Sequence, residues 1–257
     1  MGNPRPAAGD PSDHALAAQL AEATAHLLVE LLDDQASYRQ GRGIEHLGDL
    51  RSHEFLSAEL ARHRPDDAVL SEEGEDDRSR LDAARVWIVD PLDGSSDYGW
   101  SDQWAVHVGL VEAGVPIAGA VAIPALGETY ATDPVPEPIM SRVGPRPVVV
   151  VARSRRHTDG RLLAAGLDAD VIAIGSAGVK AMAVVRGEAD AYVHGGGLYE
   201  WDTCAPVAVA RAAGLHASRL DGSPLEYNKA DPWSPGLVIC RPDIAEDLLD
   251  VLTKAMT

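Results

Sequence analysis

Residues 87–100, WIVDPLDGSSDYGW, place two aspartates three positions apart around a proline, directly behind an apolar run. The run VWIV has the composition of a buried strand, and Pro91 fixes φ and ends regular pairing. Such a turn can aim the carboxylates of Asp90 and Asp93 and the carbonyl of Leu92 at one point, an all-oxygen arrangement that suits a hard cation. Gly94 and Ser95 then open the next turn with free backbone N–H groups, which suit a phosphate oxygen. The same residues also read as a capped strand-to-helix turn, since Asp-Gly is common turn chemistry. Three further acidic positions have a double reading. Glu72, in SEEGEDD, is a metal carboxylate or part of a solvated loop, as Asp76 and Asp77 are expected to be. Asp202, in EWDT, is a ligand or the N-cap of the helix that follows. Asp49 is a base or the cap of a helix. None of the nine histidines has a paired-ligand spacing, so all are assigned to surface or structural roles, and Asp97 is assigned to solvent.

The elements that must position these residues follow from periodicity. Ser12 or Asp13 caps a first helix with Leu16, Leu20, Leu27, Leu28 and Leu31 at near-helical spacing. Residues 40–49 read as loop and 52–63 as a second helix. Strands are expected at 86–89, 104–111, 117–123 and 129–132, with EAGVP as a hairpin turn between the second and third. The proline-rich stretch 133–147 marks a boundary. It divides a 1–12 disordered leader and an α+β half (13–140, with the aspartate motif) from an α/β half (141–257). In the second half, strands near 148–152, 171–174, 189–194, 216–218 and 236–240 alternate with helices near 161, 176–187, 203–213 and 243–256. Helices packed on sheets are the architecture this order implies.

Composition narrows the function. The net charge of −18 disfavours nucleic acid and anionic membrane as partners. It does not exclude an anionic substrate if a bound cation reverses the local sign. Two cysteines, Cys204 and Cys240, without a Cys-x-x-Cys pair argue against a disulfide scaffold or a zinc-thiolate site and fit a reducing cytoplasm. No secretory signal pattern opens the chain. No apolar run is expected to reach the length of a membrane helix.

The five acidic positions acquire one meaning when read in order. WIVDPLDGS resembles the W-x-[IV]-D-P-[IL]-D-G-[ST] motif of the inositol monophosphatase-like family of metal-dependent phosphatases. EWDTCAPVAVARAAG is similar to that family's second motif, LSEEG to its strand end with a metal-binding glutamate, and GSAGVKAMAVVRGEADAYVH to its helix and strand before the second motif. The resemblance runs from about residue 13 to the end of the chain. It implies a layered αβαβα sandwich, with two sheets and helices between and outside them. It implies two or three Mg²⁺ ions held by Glu72, Asp90, the Leu92 carbonyl, Asp93 and Asp202. Asp49 would act with the hydroxyl of Ser95 on the attacking water, and Gly94 and Ser95 would hold the transferred phosphate.

Within the family, GGGLYEWDTCAP and LDGSPLEYNK look most like the CysQ-type subgroup, which hydrolyses 3′-phosphoadenosine 5′-phosphate to AMP and phosphate in sulfate assimilation. By that likeness Asp93, Gly94, Ser95, Arg155, Lys180 and Asp202 would bind substrate, and Li⁺ would inhibit. Three features depart from the pattern: Ser95 replaces the usual threonine, the segment before Asp49 lacks the usual lysine and V-T-x-x-D, and the histidine of the SRSH loop is displaced to His157. A phosphatase for inositol 1-phosphate or fructose 1,6-bisphosphate is the same-fold alternative. A non-catalytic regulatory protein is the alternative from another class. The expected partner is a small phosphate ester, and homodimerisation is left open.

Overall fold

The structure, a computed structural model, describes residues 11–34, 43–138, 145–155 and 159–256. In chain order the elements are α1 (Asp13–Asp34), α2 (Ile44–His63), β1 (Ala68–Ser71), β2 (Arg85–Asp93), β3 (Ala105–Glu112), β4 (Val115–Ile123) and β5 (Glu128–Ala131). Then follow β6 (Val148–Ala152), α3 (Asp159–Leu167), β7 (Asp170–Ile174), α4 (Ala177–Val185), β8 (Ala191–His194) and β9 (Leu198–Tyr199). The chain continues through α5 (Glu200–Ala212), β10 (His216–Ser218), β11 (Trp233–Ser234), β12 (Leu237–Cys240) and α6 (Ala245–Met256).

The first sheet has the order β1-β2-β3-β4-β5, with β1 parallel to β2 and the other pairs antiparallel. The expected β3–β4 hairpin forms, and both Ala113 (φ 50°) and Gly114 (φ 79°) at its tip take the left-handed conformations that tight hairpins require. The second sheet has the order β10-β12-β8-β6-β7, with β7 and β8 parallel to β6. A two-stranded ribbon pairs β9 with β11.

Helices α1 and α2 cover the outer face of the first sheet, α4 and α5 lie between the sheets, and α3 and α6 cover the second sheet. This is the αβαβα sandwich. The central layer joins Ile88 and Val121 of the first sheet to Met182, Val207 and Val209, and on to Val150, Tyr192 and Ile239 of the second. The proline-rich stretch therefore separates two sheets that share one core.

Two expectations are corrected. Residues 44–49 are helix, not loop, so α2 starts eight residues earlier than its apolar spacing suggests. The reason is tertiary: a Cβ at Gly48 would lie 2.8 Å from Tyr98 Cε1 and 3.0 Å from Leu92 Cδ2. The glycine that looks like a breaker is what lets the helix touch the Asp90–Asp93 turn, and that contact overrides its low helix propensity. Helix α1 is long and apolar enough to cross a membrane by length and composition, against the reading of the sequence. Its Leu16, Leu20 and Leu28 are buried against the first sheet, and Glu22 and Glu30 face solvent. The Ser12 hydroxyl, not Asp13, caps it, accepting from the Ala15 N–H at 3.2 Å. Asp13 instead pairs with Arg64 and Arg85.

Candidate active site

The site begins where β2 stops being regular. Asp90 still pairs with His107 of β3, but the register shifts before Asp93 meets Ala105, because Pro91 has no N–H for the ladder. Asp90 is 1% exposed. Its Oδ1 accepts from the Leu92 N–H at 3.1 Å, while among the described residues no group donates to its buried Oδ2.

Asp93 is engaged on both oxygens. Oδ1 accepts from the Ala177 N–H (3.0 Å), and Oδ2 from the Gly178 N–H (2.7 Å) and the Ser176 hydroxyl. The carboxylate thus seals the N-terminus of α4, where backbone donors and the helix dipole favour negative charge. Ser176 sits at φ 51°, a conformation costing roughly 1–3 kcal/mol for a non-glycine residue, and its hydroxyl both donates to Asp93 and accepts from Val179.

Asp202 arrives from the second half of the chain. It is not the residue before the helix but the third residue of α5, reaching back to accept from the Tyr199 N–H at 2.6 Å. Carboxylate oxygens of Asp90, Asp93 and Asp202 lie within 4.8 Å of one another. Glu72, one residue beyond β1, is the charged neighbour that acts most strongly on Asp90.

Charge crowding sets the protonation. Burial, then Glu72, Asp93 and Asp202, push the Asp90 carboxyl far above the carboxylate range. Burial and Asp93 push Asp202 up to about 7. Asp93 is the exception. Burial would raise it, but His107, Lys180 and the Ser176 hydroxyl hold it below its ordinary value. A group of hard oxygens, one of them buried without a donor, and charges that repel one another fit a divalent cation.

Asp49 lies in the second turn of α2, inside the helix rather than before it. Its charge is felt by Glu72, and its own carboxyl is pushed up to about 6 by burial, Glu73 and Glu45. Ser95 opens a short 3-10 turn, Ser95–Asp97, after Gly94 at φ 87°. A Cβ at Gly94 would be 2.8 Å from the Gln103 carbonyl, so only glycine makes this turn. Among the described residues, the N–H groups of Gly94 and Ser95 make no hydrogen bond, and the side chains of Asp49 and Ser95 are not bonded to each other.

The two basic residues fare differently. Lys180 is buried rather than exposed on its helix. Its Nζ donates to the carbonyls of Ile174, Gly175 and Ser176 and lies 5.2 Å from the centre of the Tyr192 ring. Its ammonium therefore fastens the loop that brings Ser176–Gly178 to Asp93, and burial lowers its pKa to about 8. Arg155 ends a 3-10 turn behind β6. Its side chain, and all of His157, lie outside the described residues.

Two residues correct the reading of the sequence, and a third, His107, sharpens its structural assignment. Asp97 is buried, not solvated. It accepts from Arg153 and from the Ser101 hydroxyl. Asp76 is not free in a loop but holds the buried Arg80 at 2.6 Å. His107 is fully buried, with Nε2 3.1 Å from Asp93 Oδ2 and Nδ1 3.2 Å from the Trp201 carbonyl. The absence of a ligand spacing hid it. The signal available was a lone histidine in the otherwise apolar strand WAVHVGLV.

The chain matches the inositol monophosphatase family over residues 15–134 and 146–254. It is 45% identical over 256 residues to the 3′-phosphoadenosine 5′-phosphate phosphatase of Mycobacterium leprae, covering 95% of this chain and 94% of that one. It is 32% identical to the 3′(2′),5′-bisphosphate nucleotidase CysQ of Escherichia coli, over 73% of this chain and 81% of that one. Among solved structures it resembles CysQ from Bacteroides thetaiotaomicron (TM-score 0.76, 25% identity, 88% of this chain and 96% of that one). It also resembles SuhB of Mycobacterium tuberculosis in fold (TM-score 0.73, 24% identity, 96% and 98%).

Proposed function

This chain belongs to the inositol monophosphatase family, and from that premise we propose that it is a Mg²⁺-dependent phosphatase converting 3′-phosphoadenosine 5′-phosphate to AMP and phosphate. The observation that carries the reading is the carboxylate group of Asp90, Asp93 and Asp202, with its donor-free Asp90 oxygen, next to the free N–H groups of Gly94 and Ser95.

Glu72, Asp90, the Leu92 carbonyl, Asp93 and Asp202 would hold two or three Mg²⁺ ions. Bound there, the ions would neutralise the ester phosphate, lower the pKa of a water and stabilise the departing alkoxide. The N–H groups of Gly94 and Ser95 hold phosphate oxygens and set the ester for in-line attack. The Asp49 carboxyl orients the attacking water and accepts its proton, and an acidity near 6 suits a base working close to neutral pH. Asp49 serves directly in this arrangement or through the Ser95 hydroxyl. Water is the nucleophile, so no phosphoenzyme forms. Lys180 contributes by holding the Ser176–Gly178 loop against Asp93, and Arg155 would bind the second phosphate.

By the same reading the protein works in the cytoplasm, where its buried free thiols Cys204 and Cys240 stay reduced, and millimolar Li⁺ inhibits it. Phosphate release measured side by side on the adenosine bisphosphate, inositol 1-phosphate and fructose 1,6-bisphosphate tests the substrate. The nucleotide should have the highest kcat/KM. A preference for inositol 1-phosphate would overturn the assignment.

A further inference from the structure

Tyr199 and Trp201 flank the junction of β9 and α5 with their rings stacked, centroids 4.7 Å apart and planes 7° apart. Trp201 is half-buried and packs against the central core. Tyr199, lying on it, is 43% exposed. Across the ribbon, Trp233 of β11 is the register partner of Tyr199 and is 44% exposed. Grouped aromatic surface of this kind is ordinarily hidden, so its exposure calls for an occupant.

Its position says which occupant. The Tyr199 N–H donates to Asp202 Oδ2 at 2.6 Å, and the Trp201 carbonyl faces His107, which in turn contacts Asp93. One hydrogen bond thus ties the Tyr199 backbone to Asp202, and the Trp201 carbonyl reaches Asp93 by way of His107, so both rings stand beside the carboxylate group next to which the phosphate would sit. From this, and resting on the nucleotidase reading above, we infer that Tyr199, backed by Trp201, is the platform on which the substrate's purine base stacks. A flat base matches a flat ring already held in place, so little side-chain freedom is lost on binding. Trp201 supplies the rigidity and Tyr199 supplies the face. The platform makes the base part of recognition, separately from the phosphates.

The test uses Tyr199→Ser and Tyr199→Phe, both of which keep the backbone N–H that Asp202 accepts from. Tyr199→Ser should raise KM for the adenosine bisphosphate about 5- to 150-fold, the range for loss of one base–aromatic stack, with kcat little changed. Its kcat/KM on glycerol 2-phosphate, which has no base, should be unchanged, and Tyr199→Phe should behave as wild type. An unchanged KM for the nucleotide overturns the platform. So does an equal loss on both substrates, which would mean that Tyr199 serves the geometry of Asp202. Calorimetric binding of AMP and ribose 5-phosphate with Mg²⁺ present decides the matter independently of turnover. If the wild type releases no phosphate from the nucleotide, the nucleotidase reading fails. The platform still stands if AMP binds more tightly than ribose 5-phosphate only while Tyr199 is aromatic, and it falls if the two bind equally.

Discussion

Asp90 illustrates how one residue can be costly to the fold and necessary to the site. It is buried, one oxygen has no donor, and three other carboxyls push its pKa upward. Within the folded protein a cation relieves that cost. Asp90→Asn removes an anionic ligand and should lower kcat/KM roughly 100-fold or more, since even the partners that orient metal ligands are worth 10–100-fold. Phosphate release and calorimetric Mg²⁺ titration check this together. His107 is such an orienting partner, touching Asp93 with one ring nitrogen and the carbonyl before Asp202 with the other. His107→Ala should weaken Mg²⁺ binding about 10- to 100-fold. His107→Asn keeps a donor in the pocket and should retain part of the affinity in the same titration.

At the scale of elements, the site is assembled by approaches that residue types alone do not announce. Helix α2 meets the metal turn through Gly48, whose missing Cβ makes room for Tyr98 and Leu92. Gly48→Val should destabilise by about 1–3 kcal/mol through overpacking. It should also reduce kcat by shifting Asp49, and thermal melts with single-turnover rates would separate the two effects. The sequence pattern showed the strand–turn of Asp90 and Asp93 and the strands on either side, because apolar runs bounded by Pro and Gly carry a local signal. It missed the first turns of α2, where a glycine needed for packing mimics a loop. It also missed that Lys180 is buried on loop carbonyls and that Asp97 is buried against Arg153. Whether a charged side chain points to water or folds back onto loop carbonyls depends on neighbours far away in the chain, such as Ser176 with Asp93 or Arg153 with Asp97. The carboxylates were legible in order along the chain, and their convergence was implied by the family resemblance rather than by spacing; the structure groups Asp90 and Asp93 of β2 with Asp202 of α5.

For the whole molecule, the crowded carboxyls couple stability to pH and metal. Asp49 (about 6) and Asp202 (about 7) are raised from an ordinary value of 3.8, and Glu72 and Asp90 are raised as well. The folded protein therefore keeps protons that the unfolded chain releases. This contribution to stability is full below pH 3.8 and is lost as pH rises through 6 to 7. Asp93, lowered in the fold, acts with the opposite sign, but only below its ordinary value of 3.8. In chelator, the melting temperature should fall between pH 4 and pH 7, and Mg²⁺ should restore it most at pH 7. A melting temperature independent of pH in chelator would count against the carboxylate crowding.

The central claim is that these carboxylates hold the metal for phosphate ester hydrolysis. Its most direct test is phosphate release from 3′-phosphoadenosine 5′-phosphate as Mg²⁺ is titrated into wild-type protein and Asp90→Asn. The account predicts saturable, Mg²⁺-dependent release by the wild type and almost none by the variant. Release that persists in chelator, or equal rates from the two proteins, would contradict it.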